Sequence, residues 1–161
     1  MSRTPFPDAD TLWRDIENLY ALDGAQARCL RLQDGYGLCI TAVLASIALS
    51  RRGIAIHEGA KAPLRELIAR WHFQVLMPLR AARRGLKQTE PSLHADALAI
   101  ELAIERRLLD EATAILRGRA IWNAEDAAAR NVEVIVDAHG DHAPEPVYAA
   151  VENLYRLLEK H

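Results

Sequence analysis

Residues 71–87, Trp71-His-Phe-Gln-Val-Leu-Met-Pro78-Leu-Arg-Ala-Ala-Arg-Arg-Gly-Leu-Lys87, begin as an apolar helix, pass through a proline and emerge with a basic outer face. Upstream, Pro63 suits the first turn of that helix, where its missing N–H costs no hydrogen bond. At 100° per residue from Trp71, the residues Leu64, Leu67, Ile68, Val75, Leu79, Ala82 and Leu86 form one stripe. Before Pro78 the opposite side carries Phe73 and Leu76, which predicts burial all round; after it, that side becomes Arg80, Arg84 and Lys87, with Arg83 on the flank. The proline removes a backbone hydrogen bond and bends the helix, so the phase of the second half depends on how far it turns. The short segment Gln88-Thr-Glu-Pro-Ser92 then folds the chain back as an antiparallel hairpin with a helix over residues 93–117.

Working outward, residues 38–52 are apolar nearly all round and predict a central core helix, with Arg51 and Arg52 at its negative end and Gly53 past it. Asp8 or Asp10 caps a first amphipathic helix with Leu12, Trp13, Ile16, Leu19 and Tyr20, and a short second helix over residues 25–34 carries Cys29. After Gly118, Asn123 and Asp126 resemble a capping pair for a helix to about Ala138. Within it Val132, Val134 and Val136 alternate as a strand would; helix is preferred because an isolated strand has no partner here. A last helix opens at Pro144 and Pro146. The expectation is an all-α, single-domain bundle of about six or seven helices over residues 1–161, with residues 119–161 as variable C-terminal helices.

A chain of 161 residues, 50% hydrophobic, buries one sizeable core and is short for two. A net charge of −2 and a pI near 6.3 argue against a general nucleic-acid binder. The longest apolar run falls short of a bilayer span and the N-terminus has no signal-peptide core, so a cytoplasmic, non-membrane protein is expected. Cys29 and Cys39 read as buried thiols rather than a bridge.

No stretch forms a known catalytic or cofactor motif, and no cofactor is implied. The most informative anomaly lies on the 93–117 helix, where His94, Glu101 and Glu105 fall within or beside the apolar stripe of Leu98, Leu102, Leu108, Leu109, Ala112 and Leu116. Buried carboxylates need partners or change protonation state. Three readings stay open: neutralisation by Arg80, Arg83, Arg84 or the Arg51–Arg52 pair, heads held in solvent at the stripe's edge, or a metal or acid/base site. The i, i+4 glutamates lack the Glu-x-x-His spacing of di-iron bundles, and no metal is assigned. A second candidate, the cluster Arg80, Arg83, Arg84 and Lys87, is either solvated and internally paired or a binding face for an anion or an acidic partner. Asp137-Ala-His139-Gly-Asp141-His142 holds metal-ligand residue types without zinc-site spacing, and His57 and His72 stand alone.

Leu32-Gln-Asp34 with Gly37, the apolar helix ending at Gly53, Trp71, Pro78-Leu-Arg80, Arg83-Arg84-x-Leu-Lys87, Glu101-Leu and Glu105-Arg106 together resemble an uncharacterised proteobacterial family of small helical proteins. The leading Leu12-Trp13 and Tyr20 fit its opening, and residues 8–118 form the family-like core. Where the family has a polar Asp-Val-Asn, this chain has Cys39-Ile40-Thr41, which implies that any site formed by those polar residues is altered here. The resemblance implies an all-helical bacterial protein and carries no activity. The expected function is a non-catalytic interaction or regulatory protein with a protein partner or a second copy of itself. The alternative is an anion- or metal-binding protein, or an enzyme, with a polar pocket in the bundle.

Overall fold

The computed structural model describes residues 5–140 and 143–160. In chain order the helices are α1 (Ala9–Tyr20), α2 (Ala25–Tyr36), α3 (Ile40–Arg51), α4 (Lys61–Ile68), α5 (Met77–Thr89), α6 (Pro91–Arg117), α7 (Ala127–Asp137) and α8 (Glu145–Glu159). A π-helical segment, Ala69–Leu76, joins α4 to α5 without a break, so the described residues form seven separate helices around one core. Two-residue strands β1 (Ala55–Ile56) and β2 (Ala120–Ile121) pair antiparallel, Ala55 opposite Ile121, and tie the loop after α3 to the loop after α6.

Helix α3 is the axis, with every residue from 40 to 49 buried, as its unbroken apolar sequence requires. Helices α1, α6, α7 and α8 pack around it. Its polar residues are satisfied locally. The Ser46 hydroxyl donates to the Val43 carbonyl at 2.6 Å, so the buried Tyr155 hydroxyl donates to Ser46 at 2.5 Å and fastens α8. On α7 the fully buried Asn131 accepts from the Ile56 amide at 2.7 Å and donates to the carbonyls of Ile54 (3.0 Å) and Ser46 (3.2 Å). One side chain thereby closes the gap between α3, β1 and α7.

Residues 127–137 are helical, and the strand-like alternation has a packing cause: α7 lies between α3, α8 and β1, so Val132, Val134, Ile135 and Val136 are all buried. The expected Asn123–Asp126 capping pair is not formed. Asn123 instead takes φ +54°, a left-handed conformation that asparagine tolerates, and α7 starts at Ala127.

The joint at Pro78 differs from a simple kink. The Met77 amide bonds to the His72 carbonyl five residues back, so the helix widens to π geometry just before the proline. Widening amounts to one inserted residue, which turns everything after it by about 100° relative to an unbroken α-helix. Arg80, placed outward by the uniform count, is consequently 8% exposed and faces α6. The expectation of all-round burial before Pro78 also fails at Phe73, which is 38% exposed.

Candidate functional site

Helices α5 and α6 pack antiparallel, and the rotated α5 brings its arginines onto the anomalous carboxylates of α6. Arg80 Nη2 donates to Glu105 Oε1 at 2.5 Å, while its Nε lies 3.4 Å from Glu101 Oε1. Arg83 Nε donates to Glu101 Oε2, and its Nη1 lies 3.5 Å from His94 Nε2. Two cations therefore face two anions, the arrangement that makes burial of four charges tolerable. Burial raises the Glu105 carboxyl above its ordinary value, Arg80 opposes that shift, and Glu101 reinforces it. The Arg80 Nη1 atom is buried without a hydrogen-bond partner among the described residues. Arg84 is separate: it meets Asp34 of α2 at 2.8 Å in a half-exposed pair. Lys87 stays on the exposed outer face of α5. The four basic residues thus do not share one outward face.

Beside Glu105 opens a groove of about 350 Å³ that sequence reasoning missed. Trp13, Ile16 and Tyr20 of α1 form one wall, Leu98 and Leu102 of α6 the other, and Ile40 and Leu44 of α3 the floor. Gln33, Thr41 and Glu105 supply polar groups and Glu17 stands on the rim. Leu98 and Leu102, placed in the buried stripe by periodicity, are 40% and 53% exposed because this groove is not filled. Their stripe was legible in the sequence; that α1 would stand away from it was not.

A second polar contact set holds the start of α3. The Cys39 amide donates to His139 Nε2 at 2.9 Å, so the remaining proton of His139 sits on Nδ1 and is donated to the Ile135 carbonyl at 2.7 Å. Burial lowers the pKa of His139 to about 4, and the nearby His72 adds to the shift. A cation would also oppose the positive end of α3. His72 donates Nε2–H to the Gly37 carbonyl at 2.7 Å, and burial lowers its pKa as well. These histidines therefore act as neutral caps. His57 serves the same kind of local purpose, accepting from the Gly59 amide at 2.9 Å.

Asp141 and His142 of the metal-ligand-rich run lie outside the described residues. In that run, Asp137 pairs with Lys61 at 3.0 Å. Among the described residues no three His, Cys, Asp or Glu side chains gather as metal ligands, and no helix is long and apolar enough to cross a membrane.

Four segments thus meet at one place: the turn after α2, the start of α3, the rotated α5 and the middle of α6. They define an all-helical protein with a charge-balanced hairpin next to an open apolar groove. Residues 11–111 match the family described as protein of unknown function (DUF2390), and the chain belongs to it. Neither a curated protein nor a solved structure matches the chain. The family match contains both the arginine–glutamate cluster and the whole groove, while α7 and α8 lie beyond it.

Proposed function

We propose that this is a non-catalytic interaction protein that receives an amphipathic helix of a partner protein in the groove between α1 and α6. The observation that carries the reading is the pair Leu98 and Leu102, one turn apart on α6 and half-exposed opposite Trp13, Ile16 and Tyr20. Apolar side chains at this spacing, left in water along an open cleft, match the apolar face of a docking helix. Charge complementarity sets the chemistry of the occupant: Glu17 on the rim ion-pairs with no described residue, so the incoming helix carries Lys or Arg beside its apolar stripe. The arginine–glutamate cluster supports the role by fixing α5 against α6 and so holding one wall rigid. The cytoplasm is the proposed compartment, in keeping with two free, buried thiols that form no bridge.

The alternative, an anion-binding protein or enzyme with a polar pocket, draws on the unpartnered Arg80 Nη1, yet every carboxylate of the cluster is engaged by an arginine. One selection experiment separates the readings. Helical peptides displayed on phage are selected against the wild type and against Leu98→Glu/Leu102→Glu, with thermal melts confirming that both are folded. Enrichment of apolar peptides bearing Lys or Arg on the wild type alone supports the proposal. Equal enrichment on both overturns it, and light scattering that shows a dimer dependent on the two leucines assigns the groove to a second copy instead.

A further inference from the structure

A different concavity, between α2 and α8, combines features that point to a small anionic ligand. It measures about 600 Å³. Arg28 and Arg31 project into it from α2, Tyr36 closes one end, and Asn153 of α8 faces them. Gly35 and Ala150 also line it, and a Cβ added at Gly35 would meet nothing within 4 Å, so the concavity is open on that side.

The arginines here differ from those of the hairpin. Arg52, Arg70, Arg80, Arg83, Arg84, Arg106 and Arg130 each meet a carboxylate, whereas the side chains of Arg28 and Arg31 neither hydrogen-bond nor ion-pair with any described residue. Three residues apart on α2, the two exposed arginines share one side of the helix, and both line the concavity. Planar guanidinium forks bind phosphate oxygens in bidentate fashion. Tyr36 is 46% exposed and offers a ring face for stacking. From Arg28 to Tyr36 the helix rises about 12 Å at 1.5 Å per residue, so one elongated molecule can reach from the arginines to the ring. The Asn153 amide, with no described hydrogen-bond partner, supplies both a donor and an acceptor for a polar ring edge.

We infer that the α2–α8 groove binds a nucleoside phosphate, with its phosphate on Arg28 and Arg31, its base against Tyr36 and a base edge toward Asn153. Because α8 lies outside residues 11–111, the site depends on a part of the chain that the family match does not contain. It is also independent of the α1–α6 groove, with which it shares no lining residue.

The test is a titration followed by amide NMR shifts at Gly35, Ala150 and Asn153, using AMP, adenosine and inorganic phosphate as separate probes. Wild type saturates with AMP and binds adenosine and phosphate more weakly. Arg28→Gln/Arg31→Gln weakens AMP by about tenfold or more, the loss of a charge-assisted hydrogen bond. Tyr36→Leu weakens AMP and leaves phosphate unchanged, and Leu98→Glu/Leu102→Glu leaves AMP binding as in wild type. Absence of saturable shifts, or equal AMP affinity in the arginine variant with an unchanged melting temperature, overturns the site. Phosphate binding as tightly as AMP overturns the nucleoside assignment.

Discussion

Replacing Arg80 with methionine, which keeps the aliphatic stem and removes the charge, tests the rotation of α5 directly. The Arg80 side chain is 10% exposed and its partners Glu101 and Glu105 are 5% and 21% exposed, so the loss strands carboxylates where water cannot replace the guanidinium. Breaking a buried pair by removing one partner costs about 3–5 kcal/mol. Because Arg83 still holds Glu101, the lower end, about 3 kcal/mol, is expected here. Glu105 is then the stranded charge, and its raised pKa climbs further. A group with a folded pKa above its unfolded value loses stability as pH rises through the folded pKa, so the deficit is larger at pH 7 than at pH 5. Arg84→Met is the matched control. Uniform helical phase puts Arg80 and Arg84 on one outward face, but the Arg84–Asp34 pair is 55% and 52% exposed and its loss costs below about 1 kcal/mol. Urea denaturation of both variants at the two pH values reads the difference. Equal losses for Arg80→Met and Arg84→Met, or a pH-independent Arg80→Met deficit, would refute the inward placement.

Three further outcomes follow from groups outside the hairpin. The pKa of His139, held at about 4 against an ordinary 6.5, gives stability that is complete above the unfolded value and lost as pH falls toward the folded one, worth about 3 kcal/mol. Urea melts at pH 7 and pH 4 should show that loss in wild type and a smaller one in His139→Gln; identical pH slopes contradict the capping role. Asn131→Leu leaves the Ile56 amide and the Ile54 carbonyl without their side-chain partner and costs about 2–3 kcal/mol, and a thermal melt within a degree or two of wild type refutes the staple. Cys29 and Cys39 are at most 2% exposed, with burial pushing their pKa values to about 12 and about 11, so a thiol reagent should label them only as fast as the protein opens. Rapid labelling of the native state counts against that burial.

Most of the architecture was legible because it depends on local signals. The unbroken apolar run of α3 could only be a core helix, Pro63 and the 88–92 segment punctuated the hairpin, and the all-α class follows from the remaining amphipathic stripes. His94, Glu101 and Glu105 stood out as polar residues on an apolar face, which is where the structure places them against Arg80 and Arg83. What was hidden depends on contacts distant in sequence. Nothing near His139 indicates that its ring caps a helix a hundred residues earlier. Leu98 and Leu102 carry the same periodicity as the buried Leu108 and Leu109, and only the placement of α1 decides which pair stays in water. Periodicity reports which residues share a face, and it is silent on how completely a neighbour covers that face.

The π-helical segment is the link between the legible stripe and the hidden site, and it can be tested by removing it. Pro78 has no amide hydrogen and its ring crowds the carbonyl four residues back, that of Gln74; widening the preceding turns relieves that crowding. Deleting the exposed Gln74 in a Pro78→Ala background removes the extra residue and the reason for it together, so α5 returns by about 100° and carries Arg80 away from Glu101 and Glu105. The cluster is then already broken, and adding Arg80→Met should cost almost nothing, whereas in Pro78→Ala alone it should still cost about 3 kcal/mol. The comparison is a double-mutant cycle in which the interaction energy, not the absolute stability, carries the conclusion. If Arg80→Met costs the same with and without Gln74, the arginine reaches its carboxylates by side-chain flexibility, and the π turn is not what orients it. If the cost vanishes, one inserted residue is what turns an outward basic stripe onto the carboxylates of α6.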